Sequence, residues 1–211
     1  MIKLENISKK YGDQILFEDA SVNLTSSKVK IKGENGIGKS VLLKMMVGYS
    51  VPDSGKVYYD TDKELGKDSD FIENAGVSIN APEFMKNWTG MENLRYLQDI
   101  NKCCTEKKLE SLIAFFSLGK DINKKYKTYS LGMKQKMRII QALMDEPRYL
   151  ILDEPFDALD KDSKEKAKEY LDAYLREDSE RMLIYTSHTE EDDVFADSIV
   201  MIENKALIQL V

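Results

Sequence analysis

The sequence predicts an α/β fold with a parallel-sheet core, and three stretches predict it. Residues 33–40, Gly33-Glu34-Asn35-Gly36-Ile37-Gly38-Lys39-Ser40, are spelled G-x-x-x-x-G-K-[ST]. They lie between a strand-like segment, Val29 to Ile31, and an apolar, helix-compatible one, Val41 to Val47. Tyr149-Leu150-Ile151-Leu152 is an apolar run ending on Asp153-Glu154-Pro155, and Met182-Leu183-Ile184-Tyr185 is another ending on Thr186-Ser187-His188. Continuous apolar strands belong in sheets covered on both faces, and their C-terminal ends are where such sheets bind ligands.

Taken from the start, residues 2–7 read as a strand and Lys9-Lys10-Tyr11-Gly12-Asp13 as a turn. Tyr11 reads equally well as a flat aromatic face for a base or as an ordinary turn tyrosine. Before the glycine-rich loop, Val29 and Ile31 alternate with Lys28, Lys30 and Lys32. The lysine stems are expected along apolar surface with their heads in water, or the strand is partly exposed. Pro52-Asp53-Ser54-Gly55 is a turn, 56–60 a strand and 61–70 a polar loop. Val77-Ser78-Ile79 is a short strand that stops at Asn80-Ala81-Pro82, where proline forbids continuation as helix.

Residues 89–145 are mostly helical. Thr89-Gly90-Met91-Glu92 has the spacing of a capping box, followed by Leu94 and Leu97 on one face. Leu109, Leu112, Ile113 and Phe116 repeat at helical spacing, as do Met133, Met137, Ile140 and Met144, which read as core. Pro147 closes the stretch. Residues 161–176 form a charged amphipathic helix with Ala167, Tyr170, Leu171, Tyr174 and Leu175 inward. The acidic run Glu190–Asp193 is expected as the solvated first turn of a helix. Residues 199–202 and 207–211 finish the sheet as a hairpin around Asn204-Lys205, with no internal repeat and no interdomain linker.

The loop at 33–40 carries chemistry. Its glycines let successive backbone N–H groups turn inward around a polyphosphate at a helix N-terminus. Lys39 then reaches the β- and γ-phosphates and the Ser40 hydroxyl holds Mg²⁺. Hydrolysing a nucleoside triphosphate further needs a held metal and a positioned water. Asp153, delivered by an apolar strand, suits the metal, and Glu154 suits the water as general base. The bland alternative for the pair is a solvated turn. His188 is the only histidine; such residues are more often structural. Its place at a strand end beside Ser187, on the same sheet edge as Asp153, allows it to donate to a γ-phosphate.

Composition narrows the class. At 211 residues the chain is one large domain or a domain with a subdomain, and 42% hydrophobic with 32% charged residues reads as soluble and globular. A net charge of -6 argues against nucleic acid as a partner. Cys103 and Cys104, adjacent and alone, give neither a disulfide framework nor metal-ligand spacing, which fits a reducing compartment. No signal peptide and no bilayer-length apolar run is expected, so a membrane connection must come through a partner.

Together these residues resemble the ATP-binding subunit of an ABC transporter. Gly33–Ser40, Tyr149–Glu154, Phe156-Asp157-Ala158-Leu159-Asp160 and Ser187-His188 match that family's Walker A, Walker B, D-loop and switch histidine in order and spacing. Tyr129-Ser130-Leu131-Gly132-Met133 stands where the family has Leu-Ser-Gly-Gly-Gln, and Tyr11 where it has an adenine-stacking aromatic. The form Tyr-Ser-Leu-Gly-Met-Lys-Gln is similar to bacterial exporters of the antibiotic-resistance and lantibiotic-immunity type.

The resemblance implies a P-loop NTPase with a parallel-sheet core (about 1–80 and 146–211), an N-terminal antiparallel β region and an inserted helical subdomain (about 81–145), all in one ATP-binding domain. It implies ATP and Mg²⁺ as cofactors. Nucleotide contacts would come from Tyr11, Gly33, Asn35, Gly36, Gly38, Lys39, Ser40, Val41, Ser130, Gly132 and Asp160, metal contacts from Ser40, Asn80 and Asp153, and catalysis from Glu154 and His188. The implied partners are a second ATP-binding subunit, paired head to tail so that Ser130 and Gly132 cover the other's nucleotide, and a separate transmembrane permease docked on the helical middle, which places the chain at the cytoplasmic face of the membrane. Three positions depart from the pattern: Leu131 for glycine, Met133 for glutamine, and Asn80 for the Q-loop glutamine, which leaves a shorter reach to metal.

Rival readings fit less well. A small GTPase needs Asn-Lys-x-Asp, and Asn101-Lys102-Cys103-Cys104 and Asn123-Lys124-Lys125-Tyr126 both lack the aspartate. A nucleotide kinase gathers arginines, whereas Arg95, Arg138, Arg148, Arg176 and Arg181 are scattered. A soluble non-transport ABC-type ATPase or a nucleotide-sensing module remains the alternative; Glu154 and His188 together argue against the latter.

Overall fold

A computed structural model describes residues 1–101 and 104–210. Cys103, Lys102 and Val211 lie outside the described residues; the Cys104 thiol is free and buried, and burial pushes its pKa up. The elements in order are β1 (Ile2–Tyr11), β2 (Gln14–Leu24), β3 (Lys28–Lys32), α1 (Lys39–Val47), β4 (Ser54–Tyr59), β5 (Lys63–Glu64), β6 (Ala75–Ser78), α2 (Gly90–Asn101), α3 (Glu106–Phe115), α4 (Leu131–Leu143), β7 (Tyr149–Leu152), α5 (Lys161–Arg176), β8 (Met182–Thr186), β9 (Ser198–Glu203) and β10 (Ala206–Leu210).

The strands form two sheets. β2, β1, β4 and β5 make an antiparallel sheet in that order. The second runs β10-β9-β3-β8-β7-β6 and is parallel throughout except for β10, which closes one edge antiparallel to β9. β7 and β8 are buried at every position because both sheet faces are covered. Leu150, Leu152, Leu183 and Tyr185 join an apolar cluster with α3, α4 and α5, while Tyr149, Ile151, Met182 and Ile184 join another with α1 and the antiparallel sheet. Two periodicities thus share one strand, which is why it reads as an unbroken apolar run.

The helical middle follows its sequence signals. Thr89 Oγ1 accepts from the Glu92 N–H (3.1 Å) and Glu92 Oε2 from the Thr89 N–H (2.7 Å), the reciprocal pair of a capping box. Met137, Ile140 and Met144 are buried, with Met133 packed at the margin. α4 lies directly on the sheet at Gly76, where a Cβ would come 1.9 Å from the Ala142 carbonyl oxygen, so only glycine admits the helix there.

Several expectations need correction. The β3 lysine heads are not all in water, although Lys28 and Lys32 at the strand ends are partly exposed, as the alternative had it. Lys30 is wholly buried, its Nζ donating to the Thr189 carbonyl (2.7 Å) and pairing with Asp193. Lys32 shares Asp193 (2.8 Å) and Lys28 pairs with Asp172 of α5 (2.7 Å). The alternation is real, but carboxylates distant in sequence cover its polar side. Those carboxylates belong partly to the acidic run, which is a single 3₁₀ turn, Glu190–Asp192, and not the first turn of a solvated helix. Asp192 is fully buried between Lys164 (2.8 Å) and Lys168 (2.6 Å).

Smaller corrections concern boundaries. Tyr11 closes β1 opposite Gln14, leaving Gly12 and Asp13 as the turn. Within 61–70 a short strand, β5, pairs with β4. β6 ends at Ser78, before Ile79.

Candidate nucleotide site

The loop at 33–38 leads from β3 into α1. Gly38 caps the helix with φ 118°, a conformation closed to residues bearing a Cβ. No acidic residue occupies the first turn of α1, so its positive end stays available to an anion. Glu34, Asn35 and Gly36 are exposed, Lys39 is buried, and Val41 packs at the edge of the α1 cluster. Lys39 Nζ turns back along the loop and donates to the carbonyls of Gly33 (2.8 Å) and Glu34 (2.9 Å). Burial lowers its pKa below the ordinary lysine value, opposed by the charges of Glu154 and Asp153.

Those carboxylates stand at the end of β7, beside β8 in the parallel sheet. Ser40 Oγ donates to Asp153 Oδ2 (2.7 Å), which also accepts from the Asn80 N–H (3.3 Å), while Thr186 Oγ1 donates to Oδ1 (2.7 Å). The Glu154 N–H in turn donates to Thr186 Oγ1 (2.8 Å), and Glu154 sits at φ 51°. Its carboxylate is hydrogen-bonded through Oε1 to His188 Nε2. One connected network therefore runs Ser40, Asp153, Thr186, Glu154, His188, with the Lys39 ammonium within its field.

The segment carrying His188 is held from behind. Ser187 Oγ and Thr189 Oγ1 both donate to Asp192 Oδ2. Burial alone would raise the Asp192 carboxyl, but hydrogen bonds from Lys164 and Lys168 hold it well below the usual carboxylate range.

Other expected residues lie elsewhere. Tyr11 has its hydroxyl 3.4 Å from Ser50 Oγ, past the end of α1, and the Lys9 ammonium 5.3 Å from its ring centre. Ser130 is the N-cap of α4, accepting from the Met133 N–H (3.2 Å). Gly132 abuts Ala158, whose carbonyl oxygen would be 2.9 Å from an added Cβ. The Asp160 carboxylate caps α5, accepting from the Ser163 N–H (2.8 Å). Among the described residues no hydrogen bond ties Ser130, Gly132 or Asp160 to 33–40. Asn80 reaches Asp153 through its backbone N–H. Sequence reasoning passed over Thr186 and over Gln135, a buried residue of α4 whose Nε2 donates to the Glu154 carbonyl (3.2 Å). The only signals were a hydroxyl ending an apolar strand and a glutamine inside a methionine-spaced helix.

Residues 17–157 match the family described as ABC transporter. The chain belongs to the ABC transporter family. The relatives that it matches are described as ABC transporter ATP-binding proteins. The ABC relatives include the bacitracin transport ATP-binding protein BcrA of Enterococcus faecalis, 29% identical over 99% of this chain and 68% of its own length. The lantibiotic transport ATP-binding protein SrtF of Streptococcus pyogenes is 28% identical over 99% of this chain and 90% of its own. The chain spans about two thirds of the length of several such relatives. A dimeric post-hydrolysis structure of the ATP-binding cassette MJ0796, bound to ADP and Pi, superposes with a TM-score of 0.84 at 23% identity, covering 100% of this chain and 98% of that one. The fold is that of an ABC cassette.

Proposed function

We propose that the chain hydrolyses Mg-ATP at a site completed by a second ATP-binding subunit and so drives a separate membrane-spanning permease. The observation that carries this reading is the network from Ser40 to His188 through Asp153, Thr186 and Glu154, set beside Lys39. Glycine-loop N–H groups and the Lys39 ammonium hold the phosphates; Lys39 exchanges its carbonyl partners for them.

The oxygens of Ser40 and Asp153 suit Mg²⁺, a hard cation that takes one or two protein ligands and completes its shell with water and phosphate. When bound, Mg²⁺ neutralises charge on the phosphate oxygens. The Asn80 side chain is assigned to the same metal through a water. Glu154 takes a proton from the attacking water, whose oxygen bonds to the γ-phosphorus as the β–γ bridging bond breaks, releasing ADP and phosphate. His188, held on Glu154, orients that carboxylate and donates to the γ-phosphate.

Tyr11 is assigned to the adenine. Ser130 and Gly132 are assigned to the γ-phosphate of the opposite subunit, where the head of α4 offers N–H groups and a positive dipole end. Closure of the pair excludes water. Residues of about 1–80 and 146–211 act as the nucleotide-binding core and about 81–145 as a helical part that faces the permease. No described helix is long and apolar enough to cross a membrane. The relatives named for bacitracin and lantibiotic transport point the cargo towards peptide antibiotics.

The test is Glu154→Gln, which keeps ATP but not the base. It is expected to elute as a nucleotide-containing dimer in Mg-ATP and as a monomer without it. A variant that binds ATP tightly yet stays monomeric at every concentration sinks the shared site.

A further inference from the structure

Arg138, on α4, makes hydrogen bonds that close a ring through the site. Nε donates to the Pro82 carbonyl (3.1 Å), Nη2 to the Ala81 carbonyl (3.3 Å) and Nη1 to Gln135 Oε1 (3.1 Å). Gln135 is buried, and its Nε2 donates to the carbonyls of Glu154 (3.2 Å) and Pro155 (3.0 Å). The turn gripped by Arg138 is joined to the same strand end by the Asn80 N–H on Asp153. In that turn Asn80 and Ala81 are both left-handed, at φ 56° and 47°. Two consecutive residues in that region persist only where their surroundings hold them.

The bland role for an arginine on a helix is a contact one turn away along the same helix. Two of its three partners here lie 56 and 57 positions distant, and they are backbone carbonyls. Only a guanidinium presents donors in one plane to two carbonyls and an amide oxygen together; an ammonium does not. The ring thus ties three things to one side chain: the turn at 80–82, the backbone of Glu154, and the helix headed by Ser130.

We infer that Arg138 is a positioning residue for hydrolysis, locking the Asn80–Pro82 turn and the Glu154 strand end to α4 through Gln135. This rests on the assignment of Glu154 as general base. Displacement of the turn at 80–82 then moves the base relative to the phosphates, while the nucleotide-binding groups at 33–40, outside the ring, keep their affinity.

The experiment compares wild type with R138M, R138K, Q135M and R138M/Q135M. R138M is expected to melt close to wild type and to bind a fluorescent ATP analogue equally well. Its kcat should fall about tenfold at unchanged KM, the size of effect that loss of a charge-assisted hydrogen bond gives. R138K is expected not to rescue, and the double variant to be no worse than the poorer single one, since both act through one ring. In R138M the Asn80 amide should exchange hydrogen for deuterium faster. Unchanged kcat in R138M, multiplicative losses in the double variant, or unchanged Asn80 exchange would each overturn the inference. If R138M does not fold, R138K carries the same comparison. Amide exchange needs no turnover: wild-type hydrolysis in E154Q would remove the base assignment, while the exchange result would still judge the ring.

Discussion

Ser40 Oγ donates to Asp153 Oδ2 across 2.7 Å, joining residues 113 positions apart. That bond fixes the first turn of α1 against the end of β7. A hydroxyl and a carboxylate oxygen therefore stand together where the first turn of α1 meets the end of β7.

Lys39→Ala should weaken ATP binding about a hundredfold or more, because the loop loses its one ammonium in contact with its backbone. Ser40→Ala should keep most of the affinity for free ATP and lose the gain from Mg²⁺. Titration of a fluorescent nucleotide with and without Mg²⁺ separates the two. Full affinity in the lysine variant would show that the loop does not cradle phosphate.

His188→Ala should slow turnover about a hundredfold, the lower range for a lost proton-handling group, and leave the dissociation constant for ATP near that of wild type. Single-turnover hydrolysis and equilibrium titration measure these separately. Matching losses in both would make His188 a structural support.

The buried lysine of β3 predicts an asymmetry. Asp193→Ala leaves the Lys30 ammonium without its carboxylate and should cost about 3 kcal/mol, since stranding a buried charge is expensive. Lys30→Met removes that charge while Asp193 keeps Lys32, so the loss should be about 1 kcal/mol or less. Urea denaturation of the two variants decides it, and the reverse order would refute the burial argument.

Asp192 gives a pH signature. Its folded pKa is depressed, so its contribution is present above the unfolded carboxyl value, about 4, and is lost as pH falls through the folded value. Asp192→Asn should lower the melting temperature by several degrees at pH 7, and the gap should narrow only in acid below pH about 4. A gap that closes between pH 8 and 6 would point to a different group.

What the sequence made legible was whatever its neighbours along the chain decide. The capping box at Thr89 and Glu92 is complete within four residues, and the spacing of Met137, Ile140 and Met144 reports one face of one helix. β7 was equally plain, because both of its faces are covered by apolar clusters. What stayed hidden depends on partners far away. β2 does not alternate cleanly, since its pairing with β1 is broken by register shifts around Ile7 and Lys9. Lys30 and Asp192 look like solvent residues until α5 and the 189–193 segment close over them. Of the candidate site, the loop, Asp153, Glu154 and His188 were readable from motif and strand position. Thr186, Gln135 and Arg138 were not, because no local pattern distinguishes a hydroxyl, amide or guanidinium that will meet a distant partner.

The strand bearing Asp153 and Glu154 is a party wall between two apolar interiors, with Leu150 and Leu152 on one side and Tyr149 and Ile151 on the other. Neither interior can slacken without tilting that wall and the acids at its end. Core substitutions many residues away should thus register as sluggish catalysis before the chain unfolds. A screen for lost activity in this protein will collect packing defects alongside chemical ones.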